Sequence, residues 1–159
     1  MFSALTFAFA AALAATHSAE PLGPAQQEDS FLVTVAARPD KCNLTLATKV
    51  DLLTLVKRPT AWMGRCVAVD GYWQGRALFG RPRDARSRYA QSNRALRKRR
   101  VGIYGTDELM RTTPHAAAAY TAAGIVGDCE ALWAGALMVM GYCHYTGGPY
   151  IAVAEMRRR

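Results

Sequence analysis

Ten basic side chains crowd one stretch of this 159-residue chain. Between Arg76 and Arg100 stand Arg76, Arg81, Arg83, Arg86, Arg88, Arg94, Arg97, Lys98, Arg99 and Arg100, against the single acid Asp84. Guanidinium forks grip phosphate, sulfate and carboxylate groups in pairs of parallel hydrogen bonds. Tyr89 sits among them, and Ser87, Gln91 and Asn93 add neutral hydrogen-bonding groups. The chemistry this mixture suits is recognition of an anion: a phosphate, a sulfated sugar, or an acidic partner surface. A solvated loop accounts for the same run of charge, because such a run needs only counter-charge or water. Arg157–Arg159 add three more cations at the end of the chain, so the formal charge of +8 is concentrated in two places.

A second group of chemically capable residues lies near the C-terminus. Tyr142, His144, Tyr145 and Tyr150 gather around Cys143 and the Gly147-Gly148-Pro149 turn, and Tyr72 and Trp73 lie upstream. Tyr and Trp rings can stack on sugars or bases; beside a cysteine and a tight turn they more often pack a loop. His144 has the pKa range of a general base, but no Gly-x-Ser-x-Gly, His-Glu-x-x-His or phosphate-loop pattern accompanies it. Asp107-Glu108 reads as a helix start that complements the helix dipole. No motif calls for a cofactor, and no Cys-x-x-Cys spacing supports a metal.

The compartment follows from the N-terminus. Met1–Ala19 carries no Asp, Glu, Lys or Arg and holds an apolar run from Ala4 to Ala15 broken only by Thr6. That run is short of the roughly 20 residues a membrane span needs and has the length of a signal-peptide core. Residues 1–19 are read as a signal peptide cut near Ala19, or near Ala25, leaving no stable membrane span. Residues 20–30 are a flexible leader, residues 31–156 one globular domain, and residues 157–159 a basic tail. The location expected is periplasmic or secreted. In that oxidising setting four cysteines, Cys42, Cys66, Cys129 and Cys143, predict two disulfides. Three pairings are possible; Cys129 with Cys143 and Cys42 with Cys66 are preferred because each closes a local loop.

Strand and helix signals supply the frame. Phe31–Ala37 is a candidate strand. Thr48 and Asp51 suggest a capping box opening a helix over Lys49–Lys57, stopped by Pro59. Arg65–Trp73 alternates Val67 and Val69 with Cys66, Ala68 and Asp70, the pattern of a half-buried strand. Gln74-Gly75 turns it into Arg76–Phe79 as a hairpin. Arg81–Arg99 breaks the pattern, Val101–Tyr104 is a further strand, and Ala116–Val126 fits either helix or strand. Cys129–Met140 has helical spacing, and Tyr150–Ala154 closes the series. Val67, Val69, Phe79, Val101, Ile103, Ile151 and Val153 form the expected interior.

The stretch Arg58-Pro59-Thr60-Ala61-Trp62-Met63-Gly64-Arg65 followed by Cys66-Val67-Ala68-Val69-Asp70-Gly71-Tyr72 resembles an opening found in small exported bacterial envelope proteins of the oligonucleotide/oligosaccharide-binding (OB) fold. Gly141-Tyr142-Cys143-His144-Tyr145 through Tyr150-Ile151 is similar to endings of the same group. The resemblance implies a mostly β, α+β domain, a small five-stranded OB-like barrel with one or two helices, and no specific activity. The expected function is a non-enzymatic exported binding protein with a basic surface for an anionic ligand or envelope partner. Two alternatives remain: a small hydrolase using His144, and nucleic-acid binding, against which export argues.

Overall fold

The computed structural model describes residues 40–87, 89–132, 141–145 and 147–159. The expected signal, leader and Phe31–Ala37 strand lie outside these residues.

Six strands build one sheet: β1 (Thr48–Val50), β2 (Cys66–Gln74), β3 (Ala77–Phe79), β4 (Arg100–Tyr104), β5 (Ala118–Asp128) and β6 (Pro149–Arg158). β2, β3 and β4 form an antiparallel meander. β6 lies parallel to β4 and antiparallel to β5, and β5 returns antiparallel to β2. The ring β2-β3-β4-β6-β5-β2 closes a five-stranded mixed barrel, and β1 adds a parallel sixth strand beside the first half of β2. This closed five-stranded barrel is compatible with the OB-like fold that the resemblance implies. Closure removes the edges that short strands would otherwise expose.

Among the described residues, five short α-helices decorate the barrel: α1 (Leu52–Lys57), α2 (Pro82–Ala85), α3 (Asp107–Arg111), α4 (Cys129–Leu132) and α5 (Tyr142–Tyr145). The expected helix over Lys49–Lys57 begins three residues late. Thr48 and Lys49 are pulled into β1 by pairing with Val67 and Ala68. Asp51 is itself the N-cap, its carboxylate accepting from Thr54 N at 2.9 Å. An acid placed for the third helical position thus caps instead, because the residues before it hydrogen-bond better in a sheet. α1 then buries Leu52 and Leu55 in the barrel core.

Alternation sorts the strands into two cores. Val67, Val69, Trp73, Leu78, Val101, Ile103, Ile151 and Val153 face inward. Phe79, expected inside, belongs to the outer set with Ala77, Tyr104, Tyr150 and Ala152. The register explains it: Trp73 stands opposite Leu78 and Tyr72 opposite Phe79, so Leu78 shares the interior with Trp73. A shift of one residue in phase exchanges the faces. The Ala-rich segment before Cys129 resolves as strand, because β5 is paired along both edges, to β2 and to β6; tertiary pairing outweighs alanine's helix preference.

The bridges are Cys42–Cys66 and Cys129–Cys143, with Cα separations of 5.5 and 5.4 Å, the pairing preferred from sequence. The first lays the segment before β1 against β2, where Cys42 is fully buried and Ala68 nearly so. That segment is also tied to β6, since Leu44 N donates to Glu155 Oε2 at 2.9 Å.

Arg157–Arg159 are not a frayed tail. Arg157 and Arg158 belong to β6 and pair with Thr121 and Tyr120 of β5, and Arg159 N donates to Ala119 O at 3.0 Å. The Arg159 guanidinium and Lys49 Nζ each lie 3.4 Å from Asp70 Oδ2, while Thr121 Oγ1 donates to Asp70 Oδ1 at 2.6 Å. The Thr121 hydroxyl, then the two cations, hold the Asp70 carboxyl below its ordinary value against the opposing effect of partial burial. A depressed carboxylate contributes stability that is complete above its unfolded pKa of about 3.9 and is lost as pH falls through the folded value. Asp70→Asn is therefore expected to lower stability by about 0.5–1 kcal/mol at pH 7. The deficit against native protein should shrink toward pH 3 in urea titrations; a deficit independent of pH would contradict this.

Candidate binding site on the basic insert

Residues 80–99, between β3 and β4, form an insert laid against the outer face of the barrel. Its ends meet, Gly80 N donating to Arg99 O at 3.0 Å. Three apolar residues anchor it: Ala85, Ala90 and Leu96 are buried in the outer core with Phe79, Tyr104 and Tyr142. Gln91 adds a polar clamp. Its Oε1 accepts from Arg76 N at 3.2 Å, at the tip of the β2–β3 hairpin. Gly75 turns that hairpin with a φ of 56°, and its missing side chain leaves room for the Gln91 amide.

This packing divides the basic residues into distinct roles. Arg100, expected on the surface, is fully buried. It opens β4 on the outward-facing side, which the insert and α5 cover. Its guanidinium donates to Ala90 O and lies 5.9 Å from the centroid of the Tyr142 ring. Arg97 pairs with Glu130 of α4, whose other carboxylate oxygen accepts from Gly148 N at 3.1 Å. A hydrogen bond with the Asp128 carboxyl, then backbone donors and Arg97, hold the Glu130 carboxyl below its usual range despite partial burial. Asp84, the lone acid of the run, is buried; Arg83 Nε and an Arg99 guanidinium nitrogen each lie 3.9 Å from its Oδ1. Arg81, Arg86, Arg94 and Lys98 are exposed. Arg88 lies outside the described residues.

Tyr142 and Tyr150 of the aromatic end are packed into the fold, and the side chain of Tyr145 lies outside the described residues. Tyr142 is completely buried, seated over Gly102, where any side chain would overlap its ring. Tyr104 and Tyr150 pack edge to face with centroids 5.1 Å apart, and Tyr104 Oη accepts from Cys143 N at 3.0 Å. Burial raises the phenols of Tyr104 and Tyr142 and pushes Tyr150 up to about 12. Trp73 is an interior residue with its indole N–H donating to Gly75 O at 2.9 Å. Tyr72 is half-buried against the outer core. His144 is exposed on α5 beside the bridged Cys143. Asp107 and Glu108 fill the first turn of α3, capped by Thr106, as the dipole reading expects.

One open cleft brings insert and hairpin together. It has a volume of about 470 Å³ and is lined by Gln74 at the end of β2 and by Arg86, Ser87, Tyr89, Gln91 and Ser92 of the insert. Tyr89 is 64 % exposed. Sequence reasoning missed Gln74 and Ser92. Gln74 carried a usable signal, since the Gln74-Gly75 turn marks a surface loop and candidate binding residues concentrate on such loops. Among the described residues, no group of three His, Cys, Asp or Glu side chains could hold a metal ion, and no helix is long and apolar enough to cross a membrane. Compared with family models, curated proteins and solved structures, the chain matches none.

Proposed function

We propose that this chain is an exported, non-enzymatic binding protein that presents a basic surface to an anionic ligand or envelope partner. Two disulfides of the kind typical of oxidising compartments, together with the uncharged Met1–Ala19 segment, support export through a cleaved signal. The observation that carries the binding reading is the anchoring of the insert. A run of arginines that served only as a solvated loop would need neither the buried Ala85, Ala90 and Leu96 nor the Gln91 clamp. Those anchors hold the backbone that carries the exposed Arg81, Arg94 and Lys98, which lowers the entropic cost of meeting an anion.

Reversing the charge of Arg81, Arg94 and Lys98 together tests this. The triple variant is expected to leave an anionic-polymer column at clearly lower salt than native protein, because exposed charges are screened over about 8–10 Å near physiological ionic strength. Its melting temperature should barely change, since these side chains are exposed and unburdened by packing. Elution at the native salt concentration would overturn the proposal.

A further inference from the structure

The cleft between the insert and the β2–β3 hairpin has a composition that points to one ligand class. We infer that it is the binding site for an acidic sugar unit of an oligosaccharide, a uronate or a sulfated hexose. This deepens the reading of the chain as an anion-binding protein and rests on it.

Size comes first. A volume of about 470 Å³ falls within the roughly 300–1,000 Å³ of small-molecule sites and far exceeds what a free sulfate or phosphate fills. The lining then sets the chemistry. Tyr89 presents an exposed ring, a flat apolar face on which the C–H face of a sugar packs. Gln74, Ser87 and Ser92 supply an amide and two hydroxyls, which both donate and accept as sugar hydroxyls do. Arg86 places one guanidinium on the rim, matched to one carboxylate or sulfate.

The same inventory argues against the neighbouring classes. Alanine and tyrosine are the apolar elements of the lining, so a greasy ligand would desolvate the polar groups without pairing them. A nucleic-acid strand is gripped by a track of cations with successive stacking aromatics. Here neutral hydrogen-bonding groups, from Gln74, Ser87, Gln91 and Ser92, make up most of the polar lining described.

The mature chain, with its bridges intact, should be titrated by calorimetry with a tri-uronate, a sulfated trisaccharide, the uncharged trisaccharide, inorganic sulfate and a short single-stranded oligonucleotide. Binding of the tri-uronate or the sulfated trisaccharide supports the inference, and the stronger of the two identifies the acidic group. The uncharged sugar and the inorganic ion should bind at least about tenfold more weakly, since each keeps only part of the recognition. Tyr89→Ala should weaken the acidic sugar about tenfold by removing the stacking face, and Arg86→Lys about fivefold by breaking the fork while keeping the charge. Reversal of Arg81, Arg94 and Lys98, outside the cleft, should change it by no more than about twofold at physiological salt. If the acidic trisaccharides do not bind while polymeric anions still do, the cleft assignment falls and the basic-surface reading stands. If neither binds, both fall. Preferential binding of the oligonucleotide, or equal binding by the Tyr89→Ala protein, also overturns the assignment.

Discussion

Arg100→Ala is expected to destabilise the domain by about 3–4 kcal/mol, far more than any other single change in the basic run. Three losses add together. The carbonyl of buried Ala90 loses its charged donor, and an unsatisfied buried polar group costs about 1–3 kcal/mol. The guanidinium no longer faces the Tyr142 ring, a contact worth up to about 2 kcal/mol when shielded from water. A large, fully buried side chain also leaves a cavity beneath the insert. Arg100→Met should recover part of the deficit by filling the space without serving the carbonyl. Lys98→Ala, two residues away in sequence but exposed, should stay within about 0.5 kcal/mol of native. Urea unfolding with an unchanged slope is the measurement. A deficit of less than about 1 kcal/mol for Arg100→Ala would show that the buried cation is not what fastens the insert.

The contrast between Arg100 and Lys98 marks where the sequence stops being readable. A charge run identifies cations but not which of them the fold covers. The burial of Arg100 follows from its outward position in β4, on the side with Gly102 and Tyr104, and from a cover supplied by residues ten before it and forty-two after it. Neither end of that arrangement is visible locally. Phe79 was misplaced for a related reason: Ala77, Leu78 and Phe79 are all apolar, so a three-residue strand shows no alternation. The phase comes only from pairing with Tyr72 and Trp73.

What was legible rests on local physics. Val67 and Val69 alternate with smaller or polar neighbours and lie inside the barrel. The Gln74-Gly75 turn makes the hairpin. The two short cysteine loops are the two bridges. The insert side of the candidate cleft is visible in the sequence as a patch, because Arg86, Ser87, Tyr89 and Gln91 lie in one stretch of mixed polarity. Gln74 was not, since it reaches the cleft from the end of a strand, and neither was the contact that joins Gln91 to Arg76 fifteen residues away.

Removing the Cys129–Cys143 bridge, as the double variant Cys129→Ala with Cys143→Ala, is expected to cost about 3 kcal/mol from the loss of loop constraint alone. The loop is short, with a sequence separation of 14 against 24 for Cys42–Cys66, so chain entropy ranks the two bridges nearly equally. Their structural loads differ. Cys143 follows directly on Tyr142, which covers Gly102 and faces the Arg100 guanidinium. Cys129 opens the helix whose Glu130 holds Arg97 and the Gly148 N–H. Loss of this bridge should therefore diminish the near-ultraviolet tyrosine signal and loosen the insert, whereas loss of Cys42–Cys66 should leave that signal intact. Adding Arg100→Ala to the bridge-free protein gives the decisive comparison. Residues that share a partner are not additive: with Tyr142 already released, the second change should cost at least about 1 kcal/mol less than it does in native protein. Strict additivity in the urea midpoints would mean that the bridge and Arg100 act on separate parts of the fold, and that Tyr142 is not the link between the disulfide and the basic insert.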